Sequence, residues 1–290
     1  MRWVGRPVIL TLLAFYAAAA PASAERVSAP AHIFLLQYVR DGGVDYARLA
    51  KEADALAKGR QELAKKGLLL ATEPEPLPAS VEELAGTSRE RLAEGSKPNR
   101  IAFWINAYNI LTIDLIVHEW RVRKGRLKSI KDIPAAWSGP KWAVAGRTLT
   151  LDQIEHDVLR REFHEPRIHF ALVCASKSCP ALRYAEFQGE LLDAQLDRAA
   201  RDFVLDPTRN DFTPREGAIR ISKIFDWYGK DFVGVYSDST FERLYGRETG
   251  AVLAYVTRFL PAETVAALRA KRVRVTYLPY DWSLNIAPPR

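Results

Sequence analysis

The chain is poor in cysteine, methionine and histidine. Two cysteines among 290 residues exclude a disulfide-built scaffold. Cys174 and Cys179 are close enough in sequence to form at most one intrachain bridge. There is no Cys-x-x-Cys pair and no His-x-x-x-His pair, so neither a dithiol redox motif nor a standard zinc pattern is written here. None of the five histidines (His32, His118, His156, His164 and His169) follows Cys179, so any Cys–His pair has its base upstream, the reverse of the papain-like order. Internal repeats and long Gly/Ser linkers are missing too. After residue 20 no stretch approaches the roughly 18 uncharged apolar residues of a membrane span.

What is present is a globular mixture: 48% apolar, 27% charged and 10% aromatic residues. It excludes a disordered, collagen-like or polytopic membrane protein. The first 24 residues have the plan of a secretory signal: Arg2 and Arg6, then the apolar run Val8–Ala20, then the small residues Ala22, Ser23 and Ala24. Cleavage is expected between Ala24 and Glu25, giving a periplasmic or secreted protein. Subtracting Arg2 and Arg6 from 42 Lys+Arg against 35 Asp+Glu lowers the formal charge from +7 to +5. The remaining cations are scattered, so a nucleic-acid partner is not expected. Docking on an anionic membrane surface stays open on charge alone.

Helical periodicity is expected from Ser28–Pro30 to Val39, over Asp45–Lys66, from a Ser80/Glu83 capping box to Glu94, and over Pro98–Arg123. The last is apolar nearly all round and should be central. Thr72–Pro78 (TEPEPLP) should be non-helical and separates a helical part, residues 25–78, from the core of the same domain, residues 79–290. Lys141–Thr150 reads as a hairpin turning at Ala145-Gly146, followed by a helix opened by Thr150 and Gln153. Arg167–Cys174 reads as a buried strand. Further elements are helices over Gln188–Val204, Ile224–Phe232, Glu248–Phe259 and Pro261–Arg269, and strands over Ala218–Ser222 and Arg272–Leu278. The expected fold class is α+β, a single domain of mixed helices around a small, mostly antiparallel sheet.

Three segments carry chemistry-bearing residues. In Ile101–Ile113, Asn106 and Asn109 share a helix face and need specific partners, since an unpaired buried amide costs about 1–3 kcal/mol. They either tie loops to the helix or orient a reacting group. In Arg167–Leu182, His169 precedes a turn that delivers Cys179 just before Pro180, where it could cap a helix with a lowered pKa, Lys177 adding to the effect. Catalytic thiol, structural bridge and inert thiol all remain open. In Tyr277–Asn285, Asp281 beside Trp282 either caps a turn or orients a histidine. A metal set drawn from His156, His164, His169, Cys174 and Cys179 is not expected, nor is a cofactor.

FWINAYN (Phe103–Asn109), IEH (Ile154–His156), RIHFALVCASKSCPAL (Arg167–Leu182) and YDWSLN (Tyr280–Asn285) together resemble the bacterial and plant domain-of-unknown-function family 547, DUF547. The likeness extends from Val39–Leu49 to the C-terminus. It implies that Asn106, His156, His169, Cys179, Asp281 and Asn285 belong to the family's motifs. It implies no activity, since the family has none established.

The leading expectation is a cleft in which Cys179 is the nucleophile and His169 or His156 the base. The reaction would be acyl transfer or hydrolysis of an amide or thioester, with Asn106 or the Cys179 backbone N–H as oxyanion donor. The substrate would be an unidentified small molecule or peptide. Two readings compete with it. One is a non-catalytic binding or scaffolding module whose Trp104, Tyr108, Trp227, Tyr280 and Trp282 form core and groove. The other is a thiol–disulfide role for Cys174 and Cys179. Nothing in the sequence specifies the oligomeric state.

Overall fold

The computed structural model describes residues 35–65, 76–215 and 217–288. The expected signal segment and the expected helix start at Ser28–Pro30 lie outside them. The helices are α1 (Tyr46–Lys65), α2 (Pro76–Gly86), α3 (Arg89–Glu94), α4 (Lys97–Val122), α5 (Leu192–Leu205), α6 (Ile224–Phe232), α7 (Ser239–Tyr245), α8 (Arg247–Val256) and α9 (Ala262–Ala270). A π-helix (Gln153–Phe163) and a 3-10 helix (Pro166–Phe170) lie between α4 and α5. The strands are β1 (Val39–Arg40), β2 (Gly43–Val44), β3 (Trp142–Val144), β4 (Arg147–Leu149), β5 (Asp211–Arg215), β6 (Ala218–Ile221) and β7 (Arg274–Tyr277).

The fold is α+β, but its centre is a helix. Ser96 caps α4 by accepting from the Asn99 N–H, and Pro98 occupies the first turn, where no N–H is needed. From Ile101 to Val117 only Asn106 and Asp114 escape full burial. Asp114 accepts a 2.9 Å bond from the Trp142 indole, and burial raises its pKa. By length and hydropathy α4 could cross a bilayer; here protein covers it. Among the described residues the strands form three small sheets. β1–β2 and β3–β4 are antiparallel hairpins, while β6 pairs antiparallel with β5 and parallel with β7. Ala145 and Gly146, at φ 47° and 68°, turn the second hairpin as a two-residue left-handed loop demands.

Several local expectations need correction. Ser80 lies inside α2 rather than capping a helix, and the chain breaks at Thr87 and Ser88 before α3, which Ser88 caps. Pro76 and Pro78 fall in the first turn of α2, the one helical place that tolerates them. Residues 35–38 are helical, but Val39 already pairs in β1. Thr150 and Gln153 do exchange the reciprocal bonds of a capping box. The helix they open, however, is wound to the fifth residue back rather than the fourth.

The largest correction is Arg167–Cys174, which contains no strand. Pro166 and the Glu165 cap, which accepts from the Arg167 N–H, start a 3-10 turn instead. At three residues per turn, consecutive side chains diverge in three directions. Ile168 enters the core around α4, Phe170 enters a second core formed by α5, α6 and α8, and His169 is left between them. Asn109 then holds the descending backbone. Its amide donates to Ala171 O and its carbonyl accepts from Val173 N, both at 2.9 Å and all buried. Asn109→Ala strands a buried carbonyl and a buried N–H, so chemical denaturation is expected to show a loss of about 3 kcal/mol.

The C-terminal tail closes the structure. Val44 N donates to Asn285 O and Ala287 N to Val44 O, while Lys177 N donates to Ser283 O and Asn285 N to Ala175 O. The tail is thus stitched between β2 and the turn that carries Cys179. Gly43 makes this approach feasible, since a Cβ there would lie 2.8 Å from both Ala287 N and Asn285 O.

Candidate active site

A cavity of about 310 Å³ opens between the π-helix, the 3-10 helix, α6, the Cys179 turn and the tail. That is the lower end of the usual range for small-molecule sites. Cys179, His169 and His156 all line it, together with Glu155 and a largely aromatic wall. A larger cavity of about 480 Å³, lined by Arg183, Arg198 and Arg209 among others, contains no cysteine or histidine.

Cys179 is 3% exposed, and its sulfur lies among hydrogen-bond donors. The backbone N–H of Cys174 donates to Sγ at 3.0 Å. The Tyr280 hydroxyl lies 3.2 Å away. Ser176 Oγ lies 3.2 Å from Sγ and 2.9 Å from the Tyr280 oxygen, so its single proton serves one of them at a time. Burial opposes ionisation of Cys179, but the hydrogen bonds from Cys174, Ser176 and Tyr280 outweigh it and bring the thiol down to about 6. Cys174 moves the other way. Its hydrogen bond to Cys179, and then burial, push it well above the ordinary thiol range. Both cysteines are free thiols here. No helix follows Pro180, so Cys179 is not a helix cap, and side chains and one peptide N–H supply the stabilisation expected from a helix dipole.

Arg209 fixes this turn from behind. Its Nε and one terminal nitrogen donate to the Cys179 carbonyl at 3.1 and 2.8 Å, and the same terminal nitrogen reaches the Lys177 carbonyl at 3.1 Å. Asp206 holds the guanidinium from the other side.

His169 is anchored by groups that sequence reading missed. Its Nε2 lies 2.7 Å from Asp231 Oδ2, and its ring stacks on Tyr228 at 3.9 Å between centroids. Arg160 clamps Asp231 with bonds of 2.6 and 2.8 Å and approaches His156 Nδ1 at 2.9 Å. Burial disfavours charge on Asp231, yet the bonds from His169 and Arg160 prevail and hold its carboxyl below the usual range. An ionised carboxylate only accepts, so Nε2 carries the proton and Nδ1 is the nitrogen left for proton transfer. Among the described residues no hydrogen bond joins Cys179 to a histidine. Asp231 had a legible signal: an acid in the last turn of a helix opposes the macrodipole and calls for a cation. Tyr228 lies three residues earlier on the same face.

The other motif residues lie elsewhere. Asn106 lines a separate cavity of about 320 Å³ and bonds both ways with the Phe187 backbone, at 2.8 and 2.9 Å. It is therefore not an oxyanion donor, and neither is the Cys179 N–H, which is spent on Ser176 O. Asp281 caps a turn by accepting from Ser283 N and Oγ and touches no histidine. Asn285 accepts from the buried Tyr46 hydroxyl at 2.9 Å. Among the described residues no cluster of three His, Cys, Asp or Glu side chains could hold a metal.

Fold and site thus define an α+β protein with a stabilised thiol on the wall of an aromatic cleft. Residues 92–204 match the model of the family described as a protein of unknown function, DUF547. The match includes Asn106, His156, His169 and Cys179; the Val39–Leu49 and Tyr280–Asn285 stretches lie outside it. No curated protein and no solved structure matches the chain.

Proposed function

We propose that this protein is an exported cysteine-dependent acyl transferase or hydrolase. The observation that carries the reading is a Cys179 thiolate held by three donors in the same cleft as a histidine locked onto Asp231. The thiolate attacks the acyl carbon, and the bond from that carbon to the leaving group breaks. The leaving group takes its proton from His169 Nδ1, which holds the proton released by the Cys179 thiol and acts as general acid. Water or an acceptor amine then attacks the acyl-enzyme, gives its proton to His169, and the C–S bond breaks. Tyr280, whose hydroxyl burial keeps protonated, is the donor best placed for the developing oxyanion. His156, more exposed and tied to Arg160, is the lesser choice of base.

The test is incubation with a small activated thioester and mapping of the adduct by mass spectrometry. One acyl group on Cys179, lost in Cys179→Ser and formed roughly a hundredfold more slowly in His169→Ala, supports the reading. No adduct, or adducts spread over surface nucleophiles, overturns it. Export rests on the plan of residues 1–24. N-terminal sequencing of the mature protein should begin at Glu25, and a retained Met1 would contradict it.

A further inference from the structure

The charges around the cleft specify its occupant. Glu155, 7% exposed, and Asp152 both line it, and no lysine or arginine does. The cations nearby are already engaged elsewhere. Arg160 is clamped to Asp231, Lys223 pairs with Asp226 at 2.7 Å, and Lys131 rests on Trp282, 4.3 Å from the ring centroid. The cleft is also lined by a cluster of tilted rings. Trp227 stands 4.8 Å from Tyr280 and 5.7 Å from Trp282, and Tyr280 stands 4.5 Å from Trp282. Trp227 keeps 41% of its surface open although it is among the largest apolar side chains. Aromatic faces and a carboxylate lining one small cleft favour an organic cation over an anion or a neutral group.

We propose that the cleft binds a cationic organic group, such as a quaternary ammonium or an alkylated amine, with Trp227, Tyr280 and Trp282 as its aromatic box and Glu155 as its counter-charge. As an assignment of substrate class it rests on the acyl chemistry proposed for Cys179: the cation is carried by the acyl donor or by the acceptor. As a binding site it stands by itself.

The experiment uses choline and its uncharged isostere, in which a tert-butyl group replaces the trimethylammonium. Each is titrated into the intact protein at constant ionic strength, with tryptophan fluorescence as the readout. Choline is expected to give a saturable change and to bind roughly tenfold more tightly than the isostere. Trp227→Ala, at an exposed position, should abolish most of that preference, and Glu155→Gln, of matched shape, should reduce it. Equal or tighter binding of the isostere, or no saturable change with choline, overturns the proposal. The two readings fail separately. Choline selectivity without a Cys179 adduct ends the acyl chemistry and keeps the cation site, whereas an adduct without selectivity does the reverse.

Discussion

Asp231→Ala is expected to destabilise the fold by about 3 kcal/mol and to disorder the ring of His169. The carboxylate receives three short charged bonds, one from His169 Nε2 and two from Arg160. The His169 side chain is 2% exposed, so water cannot replace its lost partner. Removing one member of such a group leaves charged or polar atoms buried without compensation, which costs more than the group was worth intact. The effect is pH-dependent with a definite sign. The carboxyl of Asp231 is held below its unfolded value of about 3.9, so its contribution is complete above that pH and disappears as pH falls below it. Denaturation midpoints measured from neutral to acid pH should fall for the wild type below about 4. Asp231→Asn should start lower and show a flatter decline. The same acid slope in both proteins would remove Asp231 from this role.

Removing the hydroxyls around Cys179 should raise the thiol pKa in a non-additive way. A hydrogen bond to a charged acceptor is worth about 1.5–3 kcal/mol, or about 1–2 pKa units. Tyr280→Phe deletes one donor but also frees the Ser176 proton, which then serves Sγ alone. The expected shift is therefore at the low end, about one unit. Ser176→Ala should behave similarly, since Tyr280 remains. With both changes only the Cys174 N–H and thiol are left as donors, and the pKa should rise further toward the ordinary thiol value of about 8.5. Simple additivity of the two single shifts would show that the hydroxyls do not share the sulfur as the geometry requires.

How far the sequence discloses this site depends on the kind of signal. α4 is legible because a long apolar segment with a Ser cap and an early Pro has no alternative to burial as a helix. The Thr150/Gln153 box is legible because both partners lie within one turn. Arg167–Cys174 misleads because Ile168, Phe170 and Leu172 alternate with other residues as in a strand, although Ile168 and Phe170 serve two different cores. The importance of Cys179 and His169 can be read from local composition. Asp231 shows only as an acid in the last turn of a helix, and Arg160 and Arg209 not at all, because the partners lie 62, 71 and 30 residues away and no local pattern links them. Tyr280 reaches the sulfur only because the tail is stitched to β2 and the Cys179 turn, a tertiary fact.

At neutral pH Cys179 should be a thiolate while Cys174 should not. The direct measurement is the rate of iodoacetamide alkylation against pH, with each cysteine followed by mass spectrometry. Modification of Cys179 should rise through an inflection near 6 while Cys174 stays unmodified across the same range. An inflection near the ordinary thiol value of about 8.5, or modification of Cys174 first, would contradict the account.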